Sequence, residues 1–513
     1  MRFLFLLTLV ASFAPFSIAE EAKPHIVVIL ADDMGWGDPQ CYQPDSKIPT
    51  PRLDQLAAEG MRFTDAHTPS SVCTPTRYTL LTGRYCWRTW LEKGVLDGFG
   101  PPLIGENEDT LATLLKRSGY RTACVGKWHL GMQWHDKDGK PLGVRGPQRF
   151  RPGDNVDFER DITGGPNDVG FDSYFGISAS LDMSPYLYLR DRRAETLPTE
   201  WHEEVEDRTF LAGVSGVKSP GFDIRDVLPR FGDEAVEIIE SHQDREEPLF
   251  LYLPLNSPHL PVSPSASAKG KSQAGEYGDF TWETDHVVGR VMDALDAAGM
   301  AENTLILFTS DNGGLWHWWE FPAFDDGGKA PTTSRGDYVK QFGHQSNADW
   351  RGTKADIFEG GHRVPFIVRW PAKVKEGQVS DALVELTDLY ATVAEIVGDE
   401  TAHETSGMDS FSFLPVLTGD AEKSRPFSVH HSLRGLFALR KGHWKFIEGR
   451  GSGGFTRPNI LSAKPGEPEG QLYDLGSDFQ ETTNRWTEES ERVASMGALL
   501  EKIRATSATQ AAN

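Results

Sequence analysis

The apolar positions of this chain fall into short unbroken runs separated by amphipathic stretches. His25 to Leu30, in "HIVVILADDMGWGD", is continuous and β-branched. That pattern suits a central strand buried on both faces. "RTACVGKW", "PLFLYLPL", "TLILFTSD" and "VPFIVRWP" repeat it farther along. Between these runs lie helical candidates: "TPRLDQLAAEG", "EDTLATLLKRSG" (Glu108 to Gly119), "FGDEAVEIIESHQ" (Phe231 to Gln243) and "WETDHVVGRVMDALDAAG" (Trp282 to Gly299). The first carries its own punctuation, with Thr50 as cap, Pro51 in the first turn and Gly60 as stop. Strand and helix alternating in this way predict an α/β fold built on a large, mainly parallel sheet sandwiched by helices.

Two stretches, Gln133 to Asn167 and Gly327 to Trp350, lack periodicity and read as long loops. Near Arg425 the character changes. "FSVHHSLRGLFALRKGHWKFI" gives short β-like runs divided at Arg434-Gly435 and Lys441-Gly442, as in hairpins. "GQLYDLGSDFQETTN" and a helix near Glu488 to Ile503 follow. The pattern predicts a main domain over 20–424 and a C-terminal subdomain over 425–513 with a small antiparallel sheet.

Residues 1–19 differ in kind. Arg2, an apolar core from Phe3 to Phe16 and the small-x-small step Ser17-Ile18-Ala19 read as a secretory signal peptide. The run is short for a membrane span and Pro15 interrupts it. The expectation is an exported protein, periplasmic or secreted, without stable membrane insertion.

The 513 residues carry 52 basic and 75 acidic side chains, a net charge of −23. That balance argues against nucleic acid as a partner. It leaves room for a small anionic substrate in a locally basic pocket. Four cysteines, Cys41, Cys73, Cys86 and Cys124, allow two disulfides in an exported protein. A chemical role for one of them leaves at most one.

That role has a candidate. In "SSVCTPTRYTLLTGRY", Pro75 suits the first turn of a helix capped by Cys73 or Thr74, and Gly83 suits its end. Cys73 then sits at a helix N-terminus, with Arg77 four residues on and on the same face. The arrangement favours a thiolate or another anionic group at position 73.

"CTPTRYTLLTGR" resembles the signature of the type I, formylglycine-dependent sulfatases, arylsulfatase-like members of the alkaline phosphatase superfamily. "ADDMGWGD", "VGKWHLG", "NSPHLP", "SDNGG", "RGTKADIFEGGHRVPFIVRWP", "TDLYATVAEIVG" and "LYDL" also resemble blocks of that family, in the family's order. The resemblance implies an alkaline-phosphatase-like α/β sandwich with a small C-terminal subdomain. It implies that a maturation enzyme oxidises Cys73 to formylglycine. The hydrated aldehyde is a diol: one hydroxyl attacks sulfur, and the other later expels sulfate as the aldehyde reforms. It further implies that Arg77 steadies the diol and that Lys127 and Lys354 contact sulfate oxygens. His129 takes the proton that starts release. His259 protonates the leaving oxygen, with Lys354 the other candidate for that acid role.

Asp32, Asp33, Asp311 and Asn312 are hard oxygen donors ending two expected strands, at the edge where open α/β sheets bind ligands. With residue 73 they suit Ca²⁺ better than Mg²⁺. The aromatics of "GLWHWWEF", Trp316 among them, are candidates for a pocket mouth that stacks sugar rings. His135, Asp182, Tyr186 and His317 are candidates for sugar hydroxyls. "RYCWRTWLEKGVLDGFGPPLI" resembles carbohydrate sulfatases acting on 6-sulfated galactose or N-acetylgalactosamine. The expected activity is hydrolysis of sulfate monoesters on a carbohydrate. A phosphate- or phosphonate-ester hydrolase of the same superfamily and a non-catalytic binder of sulfated glycans are the alternatives.

Overall fold

The His25–Ala31 run forms the axis of a ten-stranded sheet in the computed structural model, which describes residues 22–143, 145–146, 151–204, 213–318, 334–402 and 406–509. The strand order is Gln378–Ser380, Met61–Phe63, Phe366–Arg369, Thr304–Ser310, His25–Ala31, Leu249–Pro254, Arg121–Lys127, Ser173–Ile177, Leu189–Arg190, Arg193–Ala194. Thr304–Ser310 through Ser173–Ile177 are mutually parallel. Along the axis Ile26, Val28 and Leu30 enter one core, and Val27, Ile29 and Ala31 enter the other. All six are fully buried, which is why no polar position interrupts the run. At about 1.5–3 kcal/mol for each large side chain, that burial is the dominant local reason for a strand here.

Helices cover both faces. Cys73–Thr82, Leu111–Arg117 and Leu389–Val397 pack on the first core; Pro51–Ala58, Val227–His242 and Gly275–Ala297 pack on the second. The sheet is more mixed than expected. Phe366–Arg369 runs antiparallel to Thr304–Ser310, with Phe366 opposite Thr309. The chain therefore re-enters the sheet at the edge where Ser310 leaves it. A parallel neighbour would need a crossover to the far edge. Antiparallel pairs also close the other side, at Leu189–Arg190 and Arg193–Ala194. The stretch expected as a loop over Gly327 to Trp350 contains a helix, Ser334–Lys340, and its first residues lie outside those described. Gln133 to Asn167 carries only isolated bridges and the start of a short turn of 3-10 helix, Pro166–Asp168, in its described part.

The C-terminal sheet is Ser428–His431, Phe437–Lys441, Trp444–Ile447 and Gln471–Asp474, antiparallel throughout. Helix Ser490–Ala505 lays Met496, Leu500 and Ile503 on it. All four cysteines are free thiols, so neither disulfide that export permits is formed. Among the described residues no helix is long and apolar enough to cross a membrane. The signal-peptide segment 1–19 lies outside them.

Beside the Ser428–His431 strand, three buried imidazoles converge. His67 Nδ1 lies 3.0 Å from His362 Nδ1, and His362 stacks on His430 at 4.0 Å between centroids. Burial first, then repulsion from a neighbouring ring and the charge of Lys445, holds His362 and His430 well below the usual histidine range. Burial pushes His67 and the neighbouring His431 down to about 4. These groups stay neutral in the folded chain, while the unfolded chain protonates them below about pH 6.5. Stability is therefore fully present above that pH and falls as pH drops from about 6.5 towards 4. His67 and His431 each account for a loss of about 2 kcal/mol between pH 7 and 5. Thermal unfolding across that range is expected to show a falling midpoint; a level profile would contradict this account.

Candidate active site

Asp32 and Asp33 leave the end of the His25–Ala31 strand, and Asp311 and Asn312 leave the adjacent Thr304–Ser310 strand. Asp33 adopts a left-handed conformation, φ 67°, which turns the chain directly after the strand. Close packing sustains that turn. A Cβ at Gly35 would meet the Ser346 carbonyl oxygen at 2.0 Å, and one at Gly313 would meet that of Gly360 at 1.9 Å. The two strand ends are tied together: the Asp33 N–H donates to Asp311 Oδ1 at 3.2 Å, and Asn312 Nδ2 donates to Asp33 Oδ1 at 2.8 Å.

Three cations close on these carboxylates. Arg77 donates through Nε to Asp311 Oδ2 at 2.9 Å and through Nη1 to the Lys127 carbonyl, and its Nη2 lies in ion-pair range of the same Asp311 oxygen at 2.8 Å. Lys127 Nζ reaches Asp32 Oδ2 at 2.5 Å. Lys354 Nζ lies 2.7 and 2.9 Å from the two oxygens of Asp33. All are buried. Burial opposes the charge on Asp32, but Lys127, His259, Arg77 and Lys354 together hold its carboxyl well below the usual range. Burial and the negative charge of Asp32 push Asp311 up to about 7 against Arg77 and Lys127. Asp32 Oδ1 and Asn312 Oδ1 are buried and have no hydrogen-bond partner among the described residues. Unsatisfied hard oxygens beside a carboxyl pushed towards protonation fit a divalent cation. Asp32, Asp33, Asp311 and Asn312 would hold it.

Cys73 opens helix Cys73–Thr82, with Val72 as the extended cap and Gly83 as the left-handed stop. The cap is thus one residue earlier than expected. The side chain is 3% exposed. Burial pushes its thiol up; Lys127 and Lys354 pull it down, and Asp311 and Asp32 add to the rise. Position 73 therefore lies within electrostatic reach of the carboxylate and lysine cluster, and burial favours its protonated thiol. Of the two expected alternatives, a thiolate or another anionic group, burial disfavours the thiolate by outweighing the nearby positive charge.

His129 is also left-handed, φ 57°. Its Nε2 donates to the Leu96 carbonyl at 2.8 Å, which leaves Nδ1 buried, unprotonated and without a partner among the described residues. His259 donates from Nδ1 to the Leu260 carbonyl at 2.6 Å, and its Nε2 lies 3.7 Å from Asp33 Oδ2. The C-terminal sheet braces two pieces of this site. The Ser71 N–H donates to the His431 carbonyl just before Cys73, and the Leu433 N–H donates to Ala355 just after Lys354.

The sugar-contact candidates divide. Trp316 is fully buried, stacked on Tyr277 at 5.3 Å. His317 is fully buried, with Nε2 donating to the Trp350 carbonyl and Nδ1 accepting from the Asn347 N–H. Both serve the fold, and their place at a pocket mouth is corrected. The rest of "GLWHWWEF" beyond Trp318 lies outside the described residues. The Tyr186 hydroxyl donates to the Val214 carbonyl at 2.6 Å. Asp182 and His135 are half-buried, and Asp182 Oδ1 and His135 Nδ1 have no partner among the described residues. The sequence reading missed Arg335, a half-buried cation within electrostatic reach of both Asp33 and Asp182. It also missed Asn256, which follows the Leu249–Pro254 strand much as Asp32 follows its own. The latter signal was readable in "NSPHLP".

Comparison with known proteins gives the family. An N-acetylgalactosamine-6-O-sulfatase of Bacteroides thetaiotaomicron is 32% identical over 94% of this chain and 93% of its own length. Human arylsulfatase A is 32% identical over 91% of this chain and 84% of its own length. A solved Bacteroides thetaiotaomicron structure, described under the metabolism of multiple glycosaminoglycans and labelled 6S-sulf, superposes with a TM-score of 0.77 at 29% identity, over 95% of this chain and all of that one. A Pseudoalteromonas sulfatase gives 0.68 at 25% identity, over 94% and 90%. The sulfatase domain profile matches residues 24–398, which takes in every buried charge of the site, and the chain belongs to the sulfatase family of sulfuric ester hydrolases.

Proposed function

We propose that this chain is an exported carbohydrate sulfatase whose substrate class is 6-sulfated N-acetylgalactosamine or galactose. The single observation that carries this is the likeness to an N-acetylgalactosamine-6-O-sulfatase along nearly the whole chain. Charge balance at the site supports the chemistry. Asp32, Asp33 and Asp311 are offset by Arg77, Lys127 and Lys354. A divalent cation adds two positive charges. A sulfate monoester brings one negative charge, and freed sulfate brings two. The site thus matches the charge that develops during the reaction better than the charge of the substrate.

Formylglycine at position 73, made by a formylglycine-generating enzyme, supplies a diol nucleophile, and Ca²⁺ supplies neutralisation of sulfate charge. The chain's own groups do the rest. Arg77, fixed by Asp311 and the Lys127 carbonyl, orients the group at 73. Lys127 and Lys354 take sulfate oxygens. His129 accepts a proton at its bare Nδ1, and His259 works at the leaving oxygen from Nε2.

Defined sulfated mono- and disaccharides, with released sulfate measured, test the reading. Release is expected from the 6-sulfated sugars, to stop on chelation, and to return with Ca²⁺ more fully than with Mg²⁺. Faster cleavage of an aryl phosphodiester than of an aryl sulfate would favour the phosphoesterase alternative. No turnover, with an unmodified thiol in protein from its native source, would favour the binder.

A further inference from the structure

Four neighbouring strands, His25–Ala31, Leu249–Pro254, Arg121–Lys127 and Ser173–Ile177, deliver their following residues to one edge of the sheet. The first and third supply Asp32, Asp33, Lys127 and His129, which belong to the anion site. The second supplies Asn256, and the fourth supplies Ser178, Ser180 and Asp182. Asn256 is 4% exposed, yet neither its amide nitrogen nor its amide oxygen has a hydrogen-bond partner among the described residues. The hydroxyls of Ser178 (5% exposed) and Ser180 (4% exposed) are likewise unpartnered, as is Asp182 Oδ1.

Buried polar atoms are nearly always satisfied, and each one left bare is destabilising. Several together on one edge imply a ligand that completes them. Backbone contacts tie these residues to the anion site. The Asp32 N–H donates to the carbonyl of Ser257, next to Asn256, and the His129 N–H donates to the carbonyl of Ser178, both at 2.9 Å. Asp182 follows on the same strand end as Ser178 and Ser180, and Arg335 lies within electrostatic reach of both Asp182 and Asp33. At about 4.8 Å between strands, the row from Asp32 to Ser178 spans about 14 Å, room for a sulfate group and one sugar ring.

We infer that Asn256, Ser178, Ser180 and Asp182 form the hydroxyl-recognising wall of the sugar subsite. The ring lies along the sheet edge on the Ser173–Ile177 side of the anion site, not over Trp316 and His317. The chemistry fits. Asn and Ser donate and accept, and Asp accepts, so sugar hydroxyls find partners in either role. The neutral members add contacts without disturbing the charge balance at sulfur. This assignment rests on the carbohydrate reading above.

The test compares Asn256→Ala, and separately the double change Ser178→Ala with Ser180→Ala, on a 6-sulfated N-acetylgalactosamine and on 4-nitrophenyl sulfate, which has no ring hydroxyls. The ratio of kcat/KM for sugar over aryl sulfate is expected to fall at least about 20-fold in each. An unchanged ratio, whether both rates fall or neither does, overturns the assignment. Suppose instead that wild-type protein cleaves the aryl ester but no sulfated sugar. The carbohydrate reading then fails, and the wall is tested by neutral N-acetylgalactosamine as a competitor of aryl sulfate cleavage. Competition weakened by Asn256→Ala supports the wall; no competition, or competition unaffected by the change, overturns it.

Discussion

Replacing Cys73 with alanine is expected to lower sulfate release by at least about 10⁴-fold, the scale of losing a covalent nucleophile. The fold should tolerate the change. Residue 73 begins a helix that is capped by the backbone of Val72 and stopped by Gly83, and neither device uses its side chain. The unmodified thiol is no substitute for the matured group, since it lacks the second hydroxyl and burial favours its protonated form. Activity should therefore track the fraction of chains carrying formylglycine, read by peptide mass spectrometry across preparations with and without the maturation enzyme. Cys73→Ser sharpens the test in a host that matures only cysteine. A serine hydroxyl can attack sulfur but has no second hydroxyl with which to expel it. The protein should release one equivalent of alcohol and then stop, heavier by one sulfo group. Steady turnover by Cys73→Ala would remove the nucleophile from position 73 altogether.

Much of this site was legible because its parts sit at ends of unmistakable strands. Continuous apolar runs such as Ile26 to Leu30 locate the sheet, and the charged residues directly after them must lie at its edge. Direction was less legible. "VPFIVRWP" has the same apolar character as the parallel strands, yet Phe366–Arg369 runs the other way, because burial on two faces says nothing about which end the chain enters. Trp316 and His317 misled for a related reason. An aromatic beside a metal segment can serve a pocket or a core, and only Tyr277, Asn347 and Trp350, distant or separated in sequence, decide between them. Asn256 stood in the quoted block "NSPHLP" just after an apolar run, but a single neutral residue there gains weight only once its burial without partners is seen. The helix Ser334–Lys340 lies in a stretch without apolar period, and its amphipathic character is too short to read.

His259→Ala is expected to cost about 10²–10⁴-fold on a sulfated sugar and much less on 4-nitrophenyl sulfate. The difference lies in the leaving group. A sugar alkoxide needs a proton as the bond to sulfur breaks, whereas a nitrophenolate departs without one. We propose His259 rather than Lys354 for this duty. The Lys354 ammonium is bound to both oxygens of Asp33, and those contacts favour its keeping the proton. The His259 ring is pinned from behind by the Leu260 carbonyl at Nδ1, so Nε2 is fixed at the edge of the carboxylate cluster, 3.7 Å from Asp33. Lys354→Gln should therefore slow both esters together, since it removes a sulfate contact common to them. His259→Ala should separate them, steepening the dependence of rate on leaving-group acidity across a series of aryl sulfates. Should the two variants exchange these signatures, the acid is Lys354, and the histidine contributes only position and charge.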